Sequence, residues 1–122
     1  MHDKMRSIKT KFWKDDFISE LDPHTKLLYL YLMTNNNTNL AGIYELSIRE
    51  IMFDTGLNSK QTTNSLIKLQ GAGKVVQAGG WVRLVNFQKN QKLNDSMKKC
   101  VDNILKTIPE NITKQLFSNN RV

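Results

Sequence analysis

Two histidines, one cysteine and a glycine-rich GAGK stretch are the places where this chain could carry covalent, metal or phosphate chemistry. Each lacks the company such chemistry needs. His2 and His24 have no cysteine or second histidine at metal-ligand spacing, and His24 falls in the first turn of an expected helix. Cys100 lies beside an apolar helical stripe, the setting of a small packing residue rather than an activated nucleophile. In GAGK, Lys68 stands where a phosphate loop requires its first glycine, and Val75 replaces the needed serine or threonine. The acidic residues form no pair suited to acid–base work. The expectation is a non-enzyme with no metal and no cofactor.

What remains is recognition chemistry. Lys60, Gln61, Asn64 and Lys68 recur at helical spacing. Asn and Gln amides can read adenine in a DNA groove, while Lys reads guanine or holds phosphate. The other reading of these four is a merely solvated helix face. Charge distribution favours recognition. The chain has 122 residues, a net charge of +7 and a pI near 9.6, which favours a polyanionic partner. Residues 1–14 hold five basic groups and one acid, residues 15–55 hold two basic groups and seven acids, and residues 56–94 hold six basic groups and no acid. An ordinary solvated surface mixes its signs along the chain; this one segregates them.

The length suits one domain with a modest core. The longest apolar run, residues 27–33, is far too short for a bilayer, and no apolar stretch follows the basic N-terminus as a signal peptide would require. A single cysteine rules out an internal disulfide and fits a reducing cytosol.

The elements that must position the recognition residues are legible from caps and periods. A short helix is expected within DDFISEL, anchored by Phe17, Ile18 and Leu21. Asp22-Pro23 starts a helix that runs to the polar NNNTN and, being apolar over most of its circumference, should be central. GIYEL reads as a strand. Ser47 to Glu50 is a capping box that opens a second helix ending near Gly56, and Asn58 to Gln61 repeats the signature for a third. On that third helix Thr62, Leu66 and Leu69 share the core face with Ile67 at its margin, and Thr63 and Ser65 lie near the boundary where they could contact phosphates. A turn between two short capped helices is a helix-turn-helix.

Gly79-Gly80 between VVQA and WVRLVNF signals a two-residue hairpin. With Ala78 opposite Trp81, Val75, Gln77, Val82 and Leu84 face the core, while Lys74, Val76, Trp81, Arg83 and Val85 form a mixed face partly covered by another segment. Trp81 and Phe87 are expected to pack rather than stack on bases. The predicted fold is mainly α with a β-hairpin or three-stranded sheet: a winged helix-turn-helix plus an extra C-terminal helix. Its parts are a basic N-terminal arm (1–14), held by Phe12 and Trp13 with the stretch before them free to track a backbone or groove, the winged-helix domain (15–87), a linker (88–94), the C-terminal helix (95–109) and a disordered tail (110–122). The stripe of Met97, Val101, Ile104, Leu105 and Ile108 must be buried, on its own domain or against a second copy as a homodimer.

RSIKTKFW, LLYLYLMTNNNTNLAGIYEL, the TGL turn and GGWVRLVNFQKNQKLN together resemble phage replication-initiation proteins, the replisome organisers of phages of Gram-positive bacteria, over roughly residues 6–109. The resemblance implies a winged-helix domain that binds double-stranded DNA at the phage origin in the cytoplasm of the bacterial host. It also implies a further C-terminal region engaging host helicase-loading proteins. The residues expected at the DNA are Ser59, Lys60, Gln61, Thr63, Asn64 and Lys68 on the third helix, Lys74 and Arg83 on the hairpin, and Arg6 and Lys9 in the arm. The alternatives are a transcriptional repressor of the same fold and a protein-docking module that recruits replication proteins.

Overall fold

Side-chain caps fix where the helices of the helix-turn-helix and the helix before it begin. The computed structural model describes residues 4–87 and 91–118. Asp22 accepts a hydrogen bond from the Thr25 amide to start α2 (Pro23–Thr34), Ser47 accepts from Glu50 to start α3 (Ile48–Thr55), and Asn58 accepts from Gln61 to start α4 (Ser59–Gly71). At Asn58 the capping box is reciprocal, because Gln61 Oε1 also accepts from the Asn58 amide at 3.0 Å. Gly56 ends α3 at φ 79°, a left-handed cap that glycine adopts without strain. A 3₁₀ turn (Thr10–Lys14) and the short α1 (Asp16–Ser19) precede α2.

The sheet has the order β1-β3-β2, with β1 (Ile43–Glu45) and β2 (Val75–Ala78) both antiparallel to β3 (Trp81–Leu84). Ala78 lies opposite Trp81, so the hairpin register is the one predicted. One face, with Tyr44, Val75, Val82 and Leu84, joins Leu28, Leu32, Ile51, Leu57, Leu66 and Leu69 in the main core. Mainly helical with a small antiparallel sheet, this is a winged helix with C-terminal helical additions.

The C-terminal region departs from expectation. Residues 110–122 were expected to be a disordered tail, but α6 (Glu110–Leu116) follows α5 (Asp95–Thr107) after Pro109. Ile108, Ile112 and Leu116 are buried on the outer face of the sheet against Ile43, Val76, Ala78 and Trp81. The segment that covers the mixed face of the hairpin is therefore α6. Of the α5 stripe, Val101 and Ile108 are buried, whereas Leu105 is exposed. Residues 119–122 and 88–90, within the expected tail and linker, lie outside the described residues.

The N-terminal arm is docked rather than free. Lys4 Nζ donates to the carbonyl oxygens of Asn36 and Thr38, and Arg6 donates to Thr38 Oγ1 at 3.0 Å and Thr38 O at 2.9 Å. Ser7 exchanges two hydrogen bonds with the Gln91 side chain. Phe12 and Ile8 pack on the core, but Trp13, expected as an anchor, stays 58% exposed and touches Phe12 edge-on.

Candidate nucleic-acid interface

The inward side of α4 is formed by Thr62, Ser65, Leu66 and Leu69, all buried. By helical periodicity the line opposite runs through Lys60, Asn64, Ile67 and Gly71, with Thr63 alongside. Lys60, Thr63 and Asn64 are exposed, and no hydrogen bond or ion pair engages their side chains among the described residues. Ser59 is exposed in the first turn. No acidic residue occurs anywhere on α4, whereas α3 carries Glu50 and Asp54. The positive end of the α4 dipole and Lys60 therefore act at one end of an acid-free face.

Both flanks of α4 are tied down. On one flank Gln61 Nε2 lies 3.2 Å from His24 Nε2, and Lys68 Nζ donates to Asp22 Oδ1 at 2.6 Å. On the other, Gln70 Oε1 accepts from the Gln77 amide at 3.2 Å, linking the helix to β2. Beneath them Ser65 Oγ lies 3.1 Å from Thr25 Oγ1, which itself donates to Asp22 at 2.7 Å. Ser65 was expected near the phosphate-contacting boundary; its burial against α2 removes it from that role.

Several other expected site residues have structural work. Gln61 spends its oxygen on the α4 cap and its nitrogen on His24, so its amide is not presented outward. Arg83 lies on the outer face of the sheet, where Nη1 donates to the Leu116 carbonyl at 3.1 Å and the guanidinium sits 4.1 Å from the Phe117 ring centroid. That arginine closes the C-terminal end of α6, an arrangement favoured by the helix dipole. Arg6 is held by Thr38 as described. Lys74 is half-buried, 4.9 Å from the Phe17 ring, and with the exposed Lys9 lines a cleft of about 270 Å³ floored by Phe12, Tyr29 and Phe87. Burial there raises the Tyr29 phenol above its ordinary pKa.

Sequence reasoning also misplaced Ile67. Assigned to the margin of the core, it is 60% exposed in the outward line. Its spacing of three from Asn64 and seven from Lys60 was the signal available in the sequence.

Lys68, and then Thr25, hold the Asp22 carboxyl well below the usual carboxylate range. A carboxyl depressed in the folded state stabilises that state fully above its unfolded pKa of about 3.9, and the contribution is lost as pH falls below that value. Asp22→Asn keeps a competent N-cap but removes the charge. Its melting temperature should therefore fall less steeply than the parent's below about pH 4, as followed by circular dichroism. Parallel acid limbs would show that Asp22 does not couple to the fold.

Among the described residues no helix is long and apolar enough to cross a membrane, and no three His, Cys, Asp or Glu side chains gather as metal ligands. The fold and the exposed face of α4 define the class as a winged helix-turn-helix protein. No family model, curated protein or solved structure matches the chain.

Proposed function

We propose that this chain binds double-stranded DNA with sequence preference, seating α4 in the major groove, and serves as the DNA-binding domain of a phage replication initiator. The observation that carries the DNA reading is the acid-free line of Lys60, Thr63 and Asn64, unengaged on a helix whose flanks are fixed to α2 and β2. A helix fits the major groove, and the second helix of a helix-turn-helix presents its exposed face to base edges. The replication role, the bacterial host cytoplasm and a helicase-loading partner rest on the sequence resemblance alone.

Asn64 is the side chain best suited to a bidentate base contact. Asn64→Ala should cost about 1–3 kcal/mol on a preferred duplex and relax its preference, with an unchanged melt because the side chain is outside the core. Fluorescence anisotropy against selected and random duplexes measures both. An unchanged affinity for every duplex would remove α4 as the reading element.

Protein docking is the second reading, favoured by Phe53, which is 88% exposed on α3 next to Asp54 in sequence. Pull-downs on a Phe53→Ala variant separate it from DNA binding.

A further inference from the structure

Ile67 is the one apolar side chain in the outward line of α4, and it follows Asn64 by a single helical turn. A lone exposed aliphatic residue needs no explanation in general. This one differs in its placement. The flanking Gln61, Lys68 and Gln70 are held by neighbouring elements, so they cannot fold over it. The next position in the line, Gly71, has no side chain, and a Cβ built there would meet nothing within 4 Å. Ile67 therefore projects from the face without a neighbour beyond it on the helix. Its β-branch restricts χ1 in a helix, so the apolar surface it offers is fixed in direction.

An A·T pair shows the major groove an adenine edge that an Asn amide can bond twice, and a thymine C5-methyl group that only an apolar contact can recognise. Three residues of helix advance about 4.5 Å, and one base pair advances about 3.4 Å. Side chains at 64 and 67 can thus address the same or adjacent pairs. We propose that Ile67 reads a thymine methyl, making the preferred duplex one with a thymine within one base pair of the adenine facing Asn64. This inference rests on the DNA reading above.

The test uses the full chain and a duplex selected by it from a randomised pool. Each thymine is replaced in turn by deoxyuridine, which removes only the methyl group, and dissociation constants are measured for the parent, Ile67→Ala and Ile67→Val. At one position the parent should lose about three- to fivefold in affinity, the scale of burying one CH₂ group. Ile67→Val should keep most of that sensitivity and Ile67→Ala should lose it, with all three proteins melting alike. Equal binding of every deoxyuridine duplex by the parent overturns the inference and leaves DNA binding standing. So does a methyl effect that persists undiminished in Ile67→Ala. Failure to enrich any duplex overturns the DNA reading itself, and the thymine contact with it; Ile67 then belongs to a protein-docking face.

Discussion

Between about 50 and 200 mM salt, affinity for duplex DNA should fall by about two to three orders of magnitude. The estimate comes from counting available cations rather than total charge. Each neutralised phosphate contributes about −0.9 to the slope of log affinity against log salt, so four contacts give a slope of about −3.6. The net charge of +7 overstates the supply in one respect. Arg6 is bonded to Thr38, Arg83 to the Leu116 carbonyl, and Lys68 to Asp22. Lys60, Lys9, Lys11 and Lys14 remain exposed and without a charge partner among the described residues. A titration at four salt concentrations measures the slope, and a flat response rejects the proposed mode of binding.

Leu116→Ala should destabilise the fold by about 2–4 kcal/mol, lowering Tm by something of the order of 10 °C. Leu116 is fully buried and, with Ile112, Ile108 and Ile43, forms a second core on the outer face of the sheet. Truncating its isobutyl side chain to a methyl loses both transfer energy and packing against the sheet. Leu105→Ala is the control, since Leu105 is 37% exposed on α5 and its truncation should cost clearly less than that of Leu116. Urea unfolding of the two variants decides the matter. Equal stabilities would show that α6 is not part of the cooperative unit.

The same helix shows why some of the fold was legible in the sequence and some was not. Asp22, Ser47 and Asn58 were readable because a cap is local: donor and acceptor lie within one turn of each other. The Gly79-Gly80 turn fixed the hairpin register in the same local way. In α6 the apolar residues Ile112 and Leu116 sit alone among polar ones, and Pro109 reads as a stop. What makes them buried is a partner face assembled from β1, β2 and β3, distant in sequence.

The candidate site divides along the same line. The outward direction of Asn64 and Lys60 follows from helical phase, which the sequence carries. That Gln61 meets His24, Lys68 meets Asp22, and Arg83 meets α6 depends on tertiary approach, which it does not. Ile67 was misplaced because it directly follows Leu66 at the edge of the core stripe, where composition alone cannot say which side of the boundary a residue falls.

Because α4 is moored on both flanks, gripping the scaffold and displaying chemistry fall to different residues. The buried Thr62, Ser65, Leu66 and Leu69 set the roll of the helix about its own axis, Gln61, Lys68 and Gln70 tie its flanks, and Lys60, Thr63, Asn64 and Ile67 ride on it. Those four positions behave as an interchangeable face: new side chains there alter what is displayed without disturbing how the helix is mounted. A lineage of such proteins could therefore diversify its targets by swapping a handful of outward residues and keep a single mounting throughout.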